Sequence, residues 1–276
     1  MPVALGNRHS ISECGLLLVG HGTRDECGLA EFHDLARQVA ALANGYLVEP
    51  CFLELAQPDI PPAIGRLVDR GVRQIIVAPL VLFAAGHAKR DIPRAVEEAL
   101  RIQGSGFRVR YLAALECDQG ILDLSRQRFD EALAGEPAVD PADTLLLLVA
   151  RGSSSPEATA MMHRFAELRS KSTLAACAEV CFVAKARPSL EASLARAAQS
   201  RFRRIVVQPH LLFTGQVLEE VRQAVSAAAV STSDAQKREW IVTQHLGPSP
   251  LVAKAITEAA VIACKSGTTG QRCPTA

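Results

Sequence analysis

The chain has 276 residues, enough for one large domain or two compact ones, and with 49% hydrophobic and 21% charged residues each of two halves could bury a core. The net charge of +1 argues against a generally basic, nucleic-acid-binding surface, and an aromatic content of 4% argues against a stacking platform for single strands. An N-terminus without an apolar signal core, and apolar stretches too short to span a bilayer, predict a cytoplasmic protein with no membrane or nucleic-acid partner.

Short apolar runs alternate with helical patterns along the first half of the chain. Hydrophobic residues recur at helical spacing over residues 29–43. Pro61-Pro62, and Asp91 with Pro93, are typical of the first turns of two further helices. The predicted strands are 16–19, 46–53, 74–83 and 108–113. Strands that alternate with helices predict a parallel sheet covered by helices on both faces.

The second half of the chain repeats the first at a constant spacing of 130 residues, from residue 16 to residue 146, called here the repeat offset. "LLLVGHGTRDECGLAEFHDLARQV" (16–39) aligns with "LLLVARGSSSPEATAMMHRFAELR" (146–169), and "VRQIIVAPLVLF" (72–83) with "FRRIVVQPHLLF" (202–213). An offset that survives without a gap over separate segments indicates a tandem duplication. We therefore predict two four-stranded α/β domains, 1–138 and 139–276, with a disordered tail after about Ser266.

Three ionisable residues of the first half follow predicted strands. His21 follows the first strand, Glu54 the second and His87 the third. Ligands of open parallel sheets bind beyond the carboxyl ends of the strands, so the three side chains are expected to meet at one edge. Two imidazoles and a carboxylate suit a divalent transition metal, and either group type can accept a proton. Taken singly, each residue could equally be a polar group in a turn or at a strand end.

The second half lacks all three candidates. Arg151 stands at the position of His21 and Ala184 at that of Glu54, while Val217, or Gln216 if a one-residue gap is allowed, aligns with His87. A residue needed for folding would be needed in both copies, so the loss favours a functional site in the first half alone. His33, His163 and His245 are interpreted as structural, and His210, which stands where the first half has Leu80, as a core or cleft-lining residue rather than a ligand.

Positive charges accompany both edges. The first half places Arg24, Lys89 and Arg90 beside the histidines, and the second half places Arg151, Lys185 and Arg187 at the corresponding edge. If the two edges face each other, a metal-binding wall meets a cationic wall, which suits a polyanionic ligand. The eight cysteines form no CxxC pair, and Cys177 with Cys181, four apart as on one helix face, is a weak candidate for a metal pair.

Three segments, "LLLVGHGTRD", "FLELAQP" and "LFAAGHAKRDIP", resemble the signature segments of the CbiX/SirB-type sirohydrochlorin chelatases, the class II chelatases. The resemblance covers both halves, because long bacterial members are duplicated in this way. It implies two tandem flavodoxin-like domains with the active site between them. It also implies ATP-independent insertion of Co²⁺ or Fe²⁺ into sirohydrochlorin, with His21 and His87 as metal ligands and Glu54 as the acidic catalytic residue.

This chemistry agrees with the charges. Sirohydrochlorin carries eight carboxylates, so the cations Arg24, Lys89, Arg90, Arg151 and Arg187 are expected to bind it. The metal is a substrate, no other cofactor is expected, and one chain supplies both walls, so a monomer suffices. The leading expectation is a cobaltochelatase, with Fe²⁺ a close second. The alternatives are a non-catalytic tetrapyrrole or metal carrier and, less favoured because no two-metal pattern is present, a metal-dependent hydrolase.

Overall fold

The computed structural model describes residues 14–84, 90–231 and 238–265. Strands and helices alternate throughout. The elements of the first half are β1 (Cys14–Gly20), α1 (Glu26–Leu42), β2 (Leu47–Phe52), α2 (Ile60–Asp69), β3 (Gln74–Pro79), α3 (Ile92–Gln103), β4 (Arg108–Tyr111) and α4 (Gln119–Leu133). Those of the second half, after a 3-10 turn at Pro141–Asp143, are β5 (Thr144–Ala150), α5 (Pro156–Ser170), β6 (Cys177–Phe182), α6 (Leu190–Ala198), β7 (Arg204–Pro209), α7 (Gln216–Ser231), β8 (Glu239–Val242) and α8 (Pro250–Lys265).

The strands form two separate four-stranded parallel sheets. Their orders are β2-β1-β3-β4 and β6-β5-β7-β8, so the predicted tandem α/β architecture is confirmed. The two sheets also share a register: Leu18 pairs with Pro50, and at the repeat offset Leu148 pairs with Val180. The last strand of the second sheet pairs one residue later than the repeat offset predicts, since Gln74 pairs with Arg108 but its equivalent Arg204 pairs with Glu239. From β8 onward the repeat offset is therefore longer by one residue.

The central strands are apolar on both faces because helices cover both. Every residue of β1 and of β5 is buried, as expected for a doubly covered parallel sheet. The predicted helix starts are also observed: Pro61 and Pro62 lie in the first turn of α2, and Asp91 occupies the N-cap position of α3, with Pro93 in the first turn. Cys177 and Cys181 lie on strand β6 rather than on a helix, because their segment pairs with β5.

The last helix of each half packs against the sheet of the other half. Helix α4 contacts α5 and β7, whereas α8 contacts α1 and β3. Arg128 of α4 strengthens this exchange by donating from Nη2 to the carbonyl oxygen of Leu246 at 2.9 Å. One hydrophobic cluster consequently spans both halves. The predicted boundary between residues 138 and 139 falls in the connection that follows α4.

The described helices include no segment long and apolar enough to cross a membrane.

Candidate functional site

The loop after β1 brings His21 against the loop after β2. Backbone hydrogen bonds join the two loops, because Leu53 N–H donates to the Gly20 carbonyl at 2.9 Å and Glu54 N–H to the His21 carbonyl at 3.1 Å. Gly22 makes this approach possible: its φ is +96°, and a Cβ there would lie 1.7 Å from the Glu54 carbonyl oxygen. The two loops therefore run close enough for their side chains to meet.

His21 and Glu54 form the central pair of the site. Nε2 of His21 lies 3.2 Å from Oε1 of Glu54. The side chains are 37% and 52% exposed, so both are open to a molecule arriving from solvent. An imidazole nitrogen beside a carboxylate can bind a divalent metal or exchange a proton with its neighbour.

The third predicted member of the site, His87, lies outside the described residues, as does Lys89. Within the described residues, no group of three or more metal-ligating side chains is gathered. The packing of helices α3 and α7 indicates which residue of the second half aligns with His87. Buried Ile92 and Val96 of α3 correspond to buried Val221 and Val225 of α7, at an offset one residue shorter than that of the preceding strands. This shorter offset matches the gapped alignment of His87 with Gln216.

A cleft of about 770 Å³ lies beside this pair, between the two halves. The first half supplies the loop after β1 and Leu55. The second half supplies the loop after β7 and the first turns of α7. The lining residues are Gly22, Thr23, Arg24, Asp25, Leu55, Thr214, Gly215, Gln216, Glu219 and Arg222. The carboxyl-terminal edges of the two sheets thus share a cleft.

Only some of the predicted cationic residues that the structure describes lie at the cleft. Arg24 lines the cleft, whereas Arg90, Arg151 and Arg187 are exposed and are absent from its lining as far as the chain is described. Arg222 lines it from the opposite wall and was missed by sequence reasoning. It lies on α7, where the repeat offset changes. A search for cations in the first two turns of α7 would have found it.

The second half keeps the loop geometry of the site without its chemistry. Gly152 has φ of +88°, and a Cβ there would lie 1.8 Å from the Ala184 carbonyl oxygen. Ala184 N–H donates to the Arg151 carbonyl at 2.9 Å, as Glu54 N–H does to His21. The side chains presented are those of Arg151 and Ala184, which offer no pair of metal ligands.

His33, His163 and His210 have the structural environments expected of them. His33 packs edge-on against Phe52, and His163 likewise against Phe182. His210 is 2% exposed, and its ring stacks on Phe83. Burial, and then the positive charge of Arg169, lower the pKa of His210 to about 3, so the ring is neutral at physiological pH.

Comparisons with known proteins agree with the duplication. The CbiX family model matches residues 15–132 and again residues 145–262. A sirohydrochlorin ferrochelatase of Priestia megaterium is 28% identical over 232 residues, 84% of each chain. A sirohydrochlorin cobaltochelatase of the same organism is 29% identical over 217 residues, 76% of this chain and 68% of that protein.

Solved structures show the same fold. The structure of SirB from Bacillus subtilis with Fe³⁺ has a TM-score of 0.82 at 23% identity, and the match covers 94% of this chain and 100% of that one. The two matches to the family model and the two parallel sheets of the same strand order lead to one assignment. The chain belongs to the CbiX family of chelatases.

Proposed function

We propose that this protein inserts Co²⁺ or Fe²⁺ into sirohydrochlorin, with both the metal and the tetrapyrrole as substrates. The observation that carries the proposal is the His21–Glu54 pair, 3.2 Å apart at the edge of a cleft between two halves. Relatives that match over most of this chain are a sirohydrochlorin ferrochelatase and a sirohydrochlorin cobaltochelatase. The product is the metallated isobacteriochlorin, which is sirohaem when Fe²⁺ is inserted and an intermediate on the way to cobalamin when Co²⁺ is inserted.

Metal insertion needs a site that binds the ion and then releases it. We assign His21 and His87 as the metal ligands, with His87 included on sequence grounds. Two imidazoles hold the ion more weakly than a set of four thiolates, so release into the macrocycle stays accessible. His21 Nε2 cannot donate to Glu54 and bind a metal at the same time. Metal binding at Nε2 therefore requires that this nitrogen lose its proton.

Glu54 is the proton acceptor in this proposal. Two pyrrole N–H groups lose their protons when the metal enters, and a carboxylate at the metal site can accept them in turn. Its 52% exposure lets each proton pass on to solvent. The side chain of Glu54 thus connects the reaction to bulk water while His21 positions the ion.

Arg24 and Arg222 on opposite walls of the cleft provide charge for the substrate carboxylates. Lys89, Arg90, Arg151 and Arg187 remain proposed contacts for carboxylates that project beyond the cleft. The reaction needs neither ATP nor another cofactor, and we propose a cytoplasmic monomer, since one chain forms both walls. Cobalt is placed first because N and O ligands favour Co²⁺ over Fe²⁺ in the usual affinity order.

The decisive experiment is an anaerobic absorption assay. Purified protein is mixed with sirohydrochlorin and either Co²⁺ or Fe²⁺, and loss of the metal-free band is followed against a reaction without protein. Acceleration over many turnovers supports the proposal, and the ratio of the two rates gives the metal preference. A spectral change that stops at one equivalent would show a carrier instead. No acceleration with either metal would reject metal insertion.

A further inference from the structure

Glu31 of α1 joins the two halves at the side of the cleft. Its Oε2 accepts a hydrogen bond from the backbone N–H of Thr214 at 2.6 Å and lies 3.0 Å from Nε2 of His245. The side chains of Glu31 and His245 are 24% and 12% exposed, so both contacts are shielded from water. Charge-assisted hydrogen bonds in a shielded setting are stronger than neutral ones. The carboxylate therefore holds the loop that follows β7.

Helix α1 contacts both walls of the cleft. Its N-cap, Asp25, accepts from Gly28 N–H at 2.7 Å and belongs to the loop that forms the first wall. Two turns on, Glu31 holds Thr214, which belongs to the second wall. Gly28 permits the close approach, since a Cβ there would lie 2.9 Å from the Thr214 carbonyl oxygen. One helix thus contacts both walls of the cleft.

The repeat carries this contact on one side only. At the repeat offset, Met161 corresponds to Glu31 and Ala84 to Thr214. At the longer offset that applies from β8 onward, Ala114 corresponds to His245. These counterparts have no carboxylate or imidazole, so the repeated fold does not require the polar contact. The contact of Glu31 with Thr214 and His245 therefore occurs at one of the two equivalent positions of the repeat, the one where Thr214 lines the cleft.

We propose that Glu31 is a positioning residue that fixes the width of the cleft through Thr214 and so sets the affinity for the tetrapyrrole. The inference rests on the proposed chelatase activity. The side-chain contacts of Glu31 are with Thr214 and His245, and Glu31 is not among the described residues that line the cleft, so in this proposal it acts on substrate binding rather than on the insertion step. His245 supports it by orienting the carboxylate.

The test compares three variants. E31M/H245A installs the residues that the chain carries at the equivalent positions of the other half. E31Q keeps an oxygen that can accept from Thr214 N–H but removes the charge. D34N is the control, since Asp34 lies on the same helix and its side chain receives hydrogen bonds from Arg37 and Gln38 of that helix. For each variant, kcat and KM for sirohydrochlorin and amide hydrogen exchange at Thr214 are measured.

In E31M/H245A, exchange at Thr214 is expected to accelerate about tenfold or more and KM to rise about fivefold or more, with kcat within about twofold of wild type. E31Q should fall between this variant and wild type, and D34N should match wild type. An unchanged rate of amide hydrogen exchange at Thr214 would show that Glu31 does not hold this loop. Faster exchange with unchanged KM, or a fall in kcat alone, would overturn its role in substrate binding.

Failure of the proposed function gives a different result. If wild type shows no turnover, metal insertion is rejected, and the Kd for sirohydrochlorin, from the anisotropy of its own fluorescence, replaces KM. A Kd raised about fivefold in E31M/H245A would then still support cleft positioning. An unchanged Kd, or no tetrapyrrole binding by wild type, would overturn it.

Discussion

The two halves present the same loops at the same sheet edges but different side chains. Gly22 and Gly152 have the same left-handed backbone and approach the next loop equally closely. The His21–Glu54 pair of the first half is replaced by Arg151 and Ala184 in the second. The backbone of this edge is therefore a property of the repeated fold, whereas its chemistry is not. A duplicated chain separates residues that support folding from residues that support function.

The cores of the two halves also differ, but here the second half has the polar residues. The second half buries Arg169, which donates from Nε to Ser125 Oγ at 2.8 Å, while Gln208 Nε2 donates to the Ser125 carbonyl at 2.7 Å. His210 lies beside this group. The first half has apolar residues throughout the equivalent positions: Val39, Ile256, Ala78 and Leu80. The half without the proposed metal site is the one with the buried polar network.

The largest effect is expected when the first half is given the side chains of the second. H21R/E54A should reduce metal insertion about 100-fold or more, because both a ligand and the proton acceptor are lost. Insertion rates are measured with each metal at saturating tetrapyrrole. The matched control, A184S in the second half, should insert metal at the wild-type rate. Comparable losses in the control would contradict a site confined to the first half.

Substitution of the paired glycines should separate folding from chemistry. G22A and G152A each place a Cβ on a backbone oxygen at positive φ, so each should lower the free energy of unfolding by about 3 kcal/mol or more. Urea unfolding gives the values. Similar losses in both variants would support the shared backbone role. A large loss in only one would show that the loops differ in more than their side chains.

The buried histidine should give the second half its own pH dependence. His210 has a folded-state pKa of about 3, below the ordinary value of about 6.5 in an unfolded chain. As pH falls below about 6.5, the unfolded state takes up a proton that the folded state does not, so stability is lost toward acid. H210L, which copies Leu80, should reduce the stability lost between pH 7 and pH 5 by about 2 kcal/mol. Urea unfolding at the two pH values measures this difference, and equal losses in both proteins would contradict a neutral His210.

The smallest effect is expected at the cations. R24A should raise KM for sirohydrochlorin about three- to tenfold with kcat nearly unchanged, since Arg24 lines the cleft. R151A should raise KM less, because Arg151 lies outside the cleft lining. Steady-state kinetics at fixed metal concentration compare the two. A larger effect of R151A would favour the facing cationic wall expected from sequence.

The repeat in the sequence predicted most of the fold. Apolar runs at one spacing predicted both sheets, and the rule that ligands bind at carboxyl strand ends predicted that His21 and Glu54 meet. The exchange of α4 and α8 was not predicted, because both helices have an apolar face that fits either sheet. Glu31 and Arg222 were missed because their roles depend on contacts between halves. The prediction for His87 stays a prediction, since it lies outside the described residues.

The exchange of terminal helices has a consequence for the integrity of the molecule. A proteolytic nick in the connection between Leu133 and Thr144 would cut the backbone without releasing either fragment, because α4 completes the core of the second sheet and α8 that of the first. Expressed separately, each fragment would carry a helix with no sheet of its own to cover. Co-expression should therefore restore a complementing pair, and the covalent link serves mainly to keep the two fragments at equal concentration.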